Sequence, residues 1–165
     1  MKRNVLPVKD DILIERMKRS MTALRQFRGW SMQQLGARAG VTKQTISNIE
    51  NGRSELPKPY YILIRMAFQT SLYELDELDR VWFSYMMDTV LDPNTDIDLV
   101  DNLIDAMITD ATLVNHNRAS KFNIIVRMIP GVYHDVVSHR IRYISDPDGL
   151  DWYYDLMGVT KEESK

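Results

Sequence analysis

A short segment of the sequence places hydrogen-bonding side chains at spacings that put them on one face of a helix. The polar members of this segment are Lys43, Gln44, Ser47 and Asn48. Side chains three and four residues apart are neighbours on a helix surface. A Gln or Asn amide can bond the edge of adenine at two points in the major groove of DNA, and a lysine can reach guanine. The segment is therefore a candidate for reading base sequence, although any solvated helix face is also polar.

The opposite face of the same segment is apolar, which predicts a helix that is buried on one side. Ile46 and Ile49 are three residues apart and face inward. Thr42 is a suitable N-cap, because its hydroxyl can accept a hydrogen bond from an amide in the first turn. Val41 and Ile46 are spaced as a hydrophobic staple around that cap. We therefore expect the helix to begin at Lys43.

A second short helix is predicted directly before this one. Ser31 is a good N-cap, and Gln34 lies where its side chain can reach back to complete a capping box. The helix should start at Met32. Gly40 follows at the position where a left-handed residue lets the chain leave a helix. The two helices are therefore joined by a tight turn.

The two helices and their turn resemble the helix-turn-helix of the Cro/C1-type (xenobiotic-response-element) regulator family. The matching residues are Ser31, Leu35, Ala39 to Thr42, Gln44, Ile46, Ser47 and, above all, Ile49 to Arg53. In such motifs the second helix of the pair enters the major groove. The resemblance implies an all-α protein that begins with a five-helix, lambda-repressor-like DNA-binding domain, followed by a helical C-terminal region for oligomerisation or interaction.

The resemblance also implies roles for individual residues. The residues expected to read bases are Lys43, Gln44 and Asn48, and those expected near the DNA backbone are Ser31, Gln33, Thr42, Ser47 and Arg53. Met32 stands where the family commonly has a glutamine that binds phosphate, so Gln33 is expected to replace it. Gly36 stands where the family usually has alanine. Glycine in place of alanine costs up to about 1 kcal/mol of helix propensity.

The two parts of the chain carry opposite charge. Residues 1–70 hold thirteen Lys and Arg against five Asp and Glu, a net charge of +8. Residues 71–165 hold eight against eighteen, a net charge of −10. Such asymmetry is typical of a nucleic-acid-binding part joined to a part with another role. The acidic part should point away from DNA, since its charge repels phosphate.

A long helix is predicted in front of the helix-turn-helix. Asp10 or Asp11 can cap it, and it should end near Gly29. Its buried stripe consists of Ile14, Met17, Met21, Leu24 and Phe27. Its opposite face holds Arg16, Lys18, Arg19, Arg25 and Arg28, which are either solvated or in contact with phosphates.

The chain divides into three predicted parts. Residues 1–9 form a basic arm in which Lys2 and Arg3 are candidates for DNA contact, although charged termini are also commonly disordered. Residues 10–79 form the DNA-binding domain, and residues 80–165 form the helical C-terminal region.

Helix signals continue to the end of the DNA-binding domain and beyond it. Pro57 and Pro59 mark the start of a fourth helix. Ser71 and Glu74 form a capping box that opens a fifth helix. The segment Asp92-Pro93-Asn94 then breaks an acidic helix. Thr95 is expected to cap the next helix, whose apolar stripe is Ile97, Val100, Leu103, Ile104, Met107 and Ile108.

The pattern is less decisive near the C-terminus. A helix is predicted from residue 120 to residue 129, and residues 132–143 form either a helix or a strand. The segment 146–149 predicts a turn, and residues 150–157 predict an aromatic helix.

Self-association is the leading hypothesis for the C-terminal region, because one helix-turn-helix reads only one half-site. The candidate contacts are Trp82, Tyr85, Trp152 and Tyr153, in a dimer or tetramer. Two alternatives stay open. The region could bind a toxin, which would make the protein an antitoxin that represses its own operon. It could instead bind a peptide or small ligand that releases DNA.

Several classes of function are disfavoured by the composition. The chain has no cysteine, and His116, His134 and His139 lack the spacing of helical metal ligands. We therefore expect no catalytic site, no cofactor and no metal. No apolar run reaches the roughly 20 residues of a membrane span. The expected protein is a cytoplasmic, nucleoid-associated repressor of bacterial or phage origin that binds double-stranded operator DNA.

Overall fold

The computed structural model describes residues 8–113, 115 and 151–158 of the 165-residue chain. Seven α-helices lie within this part: α1 Val8–Phe27, α2 Met32–Ala39, α3 Lys43–Glu50, α4 Lys58–Thr70, α5 Glu77–Leu91, α6 Ile97–Thr112 and α7 Asp151–Met157. A 3₁₀ helix, Leu72–Glu74, joins α4 to α5. The described residues contain no strand, which confirms the predicted all-α class. None of these helices is long and apolar enough to cross a membrane.

Some predictions concern residues outside the described part. These are residues 1–7 of the arm, with Lys2 and Arg3, the elements between residues 120 and 149, and the three histidines. The last two residues of the predicted arm already belong to α1, which begins at Val8. The assignment of its cap to Asp10 or Asp11 is therefore wrong, because both lie in the first turn of the helix.

Helix α1 is the central element of the fold. It packs against α3, α4, α5 and α6. Met17, Met21 and Leu24 are fully buried, which confirms the predicted stripe. A single cluster of buried side chains runs from the helix-turn-helix to α6. The N-terminal domain and the acidic helices therefore share one core.

The basic face of α1 differs from the prediction. Arg16 donates to the backbone carbonyl of Thr95 at 2.9 Å, and Arg28 donates to Ser71 Oγ at 2.8 Å. Arg25 is buried against Glu50. The interpretation of these three arginines as solvated or phosphate-bound is wrong. Their guanidinium groups bond partners far away in sequence, while their stems cover apolar surface.

The corner after α4 also differs from the prediction. The Ser71 hydroxyl donates to the carbonyl of Phe68 at 3.1 Å, so it does not cap a following helix. Asp76 is the N-cap of α5 instead, and its carboxylate accepts from the amide of Asp79 at 2.9 Å. Helix α5 then continues without interruption to Leu91. The boundary placed at residue 79 therefore lies in the first turn of a helix.

Helix α6 begins one residue later than its predicted cap requires. Its N-cap is Asp96, which accepts from the amide of Asp98 at 3.1 Å, so the assignment of this role to Thr95 is wrong. Val100, Leu103 and Met107 of the predicted stripe are buried, and Ile104 is partly buried. Ile97 and Ile108 are each 40% exposed, because they lie at the edges of the face that packs on α1.

Two of the four aromatic residues named for oligomerisation are buried within the chain. Trp82 is 0% exposed and Tyr85 is 4% exposed, so neither is available on the surface of the folded chain. The prediction missed this because α5 is covered on several sides by α1, α4 and α6. Trp152 of α7 packs edge-on against Tyr61 and lies 4.5 Å from the guanidinium carbon of Arg65. It is half-buried, as is Tyr153 beside it.

Candidate nucleic-acid interface

Both short helices begin with the predicted caps. Ser31 Oγ accepts from the amide of Gln34 at 3.1 Å, and the Gln34 side chain accepts from the amide of Ser31 at 2.7 Å. Thr42 Oγ1 accepts from the amide of Thr45 at 3.1 Å. These hydrogen bonds satisfy amides that a helix start leaves unpaired. The start of each helix is therefore fixed by its own local sequence.

The turn between the helices depends on two glycines for different reasons. Gly40 has φ of 76°, the left-handed region that glycine enters without steric cost. Gly36 has ordinary helical geometry, but a Cβ atom there would lie 2.6 Å from the carbonyl oxygen of Val41. The Val41 amide in turn donates to the Gly36 carbonyl at 2.9 Å. The turn therefore closes directly onto α2, and alanine would not fit.

The outer face of α3 carries the predicted base-reading residues. Lys43 and Gln44 are exposed, and Ser47 and Asn48 are half-buried. Gln44 Nε2 donates to Asn48 Oδ1 at 3.0 Å. The structure thus brings Lys43, Gln44 and Asn48 together on one accessible helix face, while Ile46 and Ile49 are buried on the other.

Most of the residues predicted near the DNA backbone are exposed. Ser31, Gln33, Thr42 and Arg53 are exposed, at the ends of the two short helices. Ser47 Oγ accepts from Asn51 Nδ2 at 3.1 Å. Met32 is partly buried against the core, which explains why an apolar residue is tolerated where the family commonly has glutamine.

Two basic side chains in this region have no hydrogen-bond or ion-pair partner among the described residues. Between residues 10 and 70, every other Lys or Arg bonds a carboxylate, hydroxyl or carbonyl of the chain. Within the described residues, the side chains of Lys43 and Arg53 alone in this range have no such partner. Lys43 is the first residue of α3, and Arg53 follows its last turn. The unpaired positive charges of the domain therefore lie at the two ends of α3.

A buried ion pair holds the C-terminal end of α3. Glu50, the last residue of the helix, accepts from Arg25 Nε at 2.8 Å and from Arg25 Nη2 at 2.9 Å. Thr22 Oγ1 donates to the same carboxylate at 3.0 Å. The Glu50 side chain is only 2% exposed. The charge-assisted, two-point geometry therefore fixes α3 against α1. No sequence spacing links residues 25 and 50, so the sequence analysis missed this brace.

A second cluster fixes α2 against the 3₁₀ helix. Arg28 and Arg38 each lie with the guanidinium carbon 4.4 Å from the centre of the Trp30 ring, which stacks on Phe68. Burial lowers the pKa of Arg28 to about 10. The hydrogen bond between Arg38 and Glu74, 2.6 Å long, lowers the pKa of the Glu74 carboxyl. Arg38 is thereby directed toward the protein.

The fold and the site together define a helix-turn-helix unit, in which one short helix braces a second whose polar face is open to a groove of DNA. Residues 21–75 match the helix-turn-helix family model HTH_3. This segment, about a third of the chain, is a helix-turn-helix of the Cro/C1 type, which supports a DNA-binding transcriptional regulator. The match ends just before α5. No curated protein and no solved structure matches the chain in the corresponding comparisons.

Proposed function

We propose that the protein is a sequence-specific repressor that binds an inverted-repeat operator as a dimer or higher oligomer. The observation that carries the proposal is the pair of unpaired cations, Lys43 and Arg53, on either side of the exposed Gln44 and the half-buried Asn48. Contacts to phosphates position a protein on DNA, whereas contacts to base edges give sequence specificity. Helix α3 offers groups for both.

The distribution of acidic residues supports one orientation on DNA. Exposed carboxylates lie on the loop before α6 and on α6 itself, at Asp92, Asp96, Asp98 and Asp105. Phosphates repel these groups and attract Lys43 and Arg53. The favoured orientation therefore has α3 in the groove and the outer face of α6 turned away.

Repression and oligomerisation are the further parts of the proposal. One α3 of eight residues reads a single half-site, so a regulator of this kind needs a second copy about 34 Å away along the DNA. We assign self-association to the C-terminal region, with Trp152 and Tyr153 as the remaining surface candidates. The proposed mechanism is occlusion of a promoter, without catalysis, by a cytoplasmic protein of a phage, plasmid or other mobile element.

The test is selection of genomic fragments by the purified protein at about 150 mM salt. The wild type should enrich a few inverted repeats. Gln44→Ala should lose about 1–3 kcal/mol on the selected site and little on random DNA. Arg53→Ala should weaken binding to both and reduce the salt slope by about 1. Asn102→Ala, which removes an exposed amide from α6, is the matched control and should change neither.

Two outcomes would contradict the proposal. If the wild type enriches no site, sequence-specific binding fails. If Gln44→Ala loses equal affinity on the selected site and on random DNA, Gln44 does not read a base.

A further inference from the structure

Two amide side chains on the exposed face of α3 are bonded to each other. Gln44 Nε2 donates to Asn48 Oδ1 at 3.0 Å, across one turn of the helix. Gln44 is exposed, whereas Asn48 is half-buried. A long side chain on a helix surface ordinarily samples several rotamers. Here the less exposed Asn48 restrains the more exposed Gln44.

The hydrogen bond determines which groups Gln44 presents outward. A carboxamide has one oxygen and two N–H groups. Since Asn48 Oδ1 takes one N–H, Gln44 presents Oε1 and its other N–H, one acceptor and one donor. Turning the Gln44 amide alone by half a rotation would set its oxygen against Asn48 Oδ1. Asn48 therefore fixes the order of donor and acceptor on Gln44.

We propose that Asn48 is a positioning residue that holds Gln44 in the orientation that recognises adenine; this inference rests on the proposed function. Adenine offers an acceptor at N7 and a donor at N6 in the major groove, which match one N–H and one oxygen. Guanine offers acceptors at both N7 and O6, and it would need two donors. Asn48 thus acts on the base through Gln44 and selects adenine over guanine there.

The experiment determines base preferences with the full-length protein and a randomised operator derived from the selected site. The position read by Gln44 is the one whose preference disappears in Gln44→Ala. At this position the wild type should favour adenine over guanine by roughly 5- to 100-fold. Asn48→Ala should reduce that ratio by at least about 5-fold without altering preferences elsewhere in the half-site.

Two further variants separate positioning from general effects on binding. Asn48→Asp keeps an acceptor for Gln44 Nε2 and adds a charge that phosphates repel. It should bind every sequence more weakly but retain the ratio of adenine to guanine. Asn51→Ala removes another amide that bonds one turn back along α3, to Ser47, and it should leave the ratio at the Gln44 position unchanged. Thermal unfolding of each variant establishes that it is folded.

The outcomes distinguish this inference from the function on which it rests. If the wild type enriches no site, the proposed function fails and the inference fails with it. If a site is enriched but Gln44 prefers guanine, the amides of Gln44 and Asn48 both have the opposite orientation. The proposed function then stands, and only the inference is overturned. The inference alone is also overturned if Gln44→Ala relaxes no position, or if Asn48→Ala keeps the full preference.

Discussion

The helix-turn-helix and the pair α5–α6 are held in place by different kinds of interaction. Helices α2 and α3 are short and rely on directional contacts: side-chain caps at Ser31 and Thr42, a close backbone approach at Gly36, and the ion pair of Arg25 with Glu50. Helices α5 and α6 are twice as long and bury large apolar side chains such as Trp82, Met86 and Met107.

This difference corresponds to what each region has to position. Hydrogen bonds and close approaches constrain both distance and angle, which the proposed base-reading face requires. Apolar burial is non-directional and roughly proportional to area, which suffices for a scaffold. We therefore expect substitutions in the first region to affect both stability and DNA recognition, and those in the second region to affect stability alone.

The largest effect is expected for the buried ion pair. Glu50→Ala leaves Arg25 without its carboxylate, and breaking a buried pair on one side costs about 3–5 kcal/mol. The free energy of unfolding in urea measures this cost. In the double variant Arg25→Met with Glu50→Leu, much of the stability should return because no buried charge is left unpaired. A loss below about 1 kcal/mol for Glu50→Ala would show that the pair does not brace α3.

A core substitution in α5 provides the contrast. Met86 is fully buried, and truncation of a buried methionine to alanine costs about 2–5 kcal/mol. At a temperature where the variant is still folded, its ratio of operator to random-DNA affinity should equal that of the wild type. A changed ratio would show that the scaffold also adjusts the reading face, and the comparison of the two regions would fail.

An intermediate effect is expected at the turn. Gly36→Ala improves helix propensity by up to about 1 kcal/mol, but its Cβ would lie 2.6 Å from the Val41 carbonyl oxygen. Because that neighbour is backbone, the turn must shift, and we expect a net loss of about 1–3 kcal/mol in the free energy of unfolding. Ala37→Gly on the exposed side of α2 is the matched control for propensity. Stabilisation by Gly36→Ala would contradict the close approach.

The smallest effect is expected for the exposed pair between α1 and α6. Arg19 and Asp101 form a bidentate contact with N–O distances of 2.7 and 2.9 Å, which lowers the pKa of the Asp101 carboxyl. A lowered carboxyl pKa contributes stability above its ordinary value of 3.8, and the contribution disappears as pH falls through the lowered pKa. Because the pair is exposed, Arg19→Ala should shift the unfolding midpoint only slightly at neutral pH.

The pH dependence tests the same pair. The small difference between wild type and Arg19→Ala should vanish in acid, where the Asp101 carboxyl is protonated in both proteins. A difference that persists there would assign the effect of Arg19 to packing.

The parts of the fold that could be predicted from sequence are those governed by neighbouring residues. Ser31 with Gln34, Gly40, and Thr42 with Lys43 each act within a few residues, so their types and spacing specify the caps and the turn. The exposed face of α3 could be predicted directly from the helical spacing of its apolar and polar residues. Signals of this kind do not depend on the rest of the chain.

The parts that could not be predicted depend on partners far along the chain. Arg16 bonds carbonyl groups 76 and 79 residues away, and its buried guanidinium cannot be distinguished by spacing from that of a solvated arginine. Ser71 with Glu74 has the spacing of a capping box, but Arg28 bonds the Ser71 hydroxyl from another helix. The burial of Trp82 could not be predicted because no sequence pattern shows that Phe27 of α1 packs against it.

The continuity of α5 through residue 79 limits how such a regulator can exchange its parts by recombination. The rings of Phe27 and Phe68 lie 5.8 and 5.6 Å from that of Phe83, which belongs to the acidic half of the chain. A crossover at residue 79 would therefore join an N-terminal part to a C-terminal part that lacks the matching aromatic surface. A functional hybrid would have to inherit α1 and α5 together, so the unit of inheritance is larger than the helix-turn-helix.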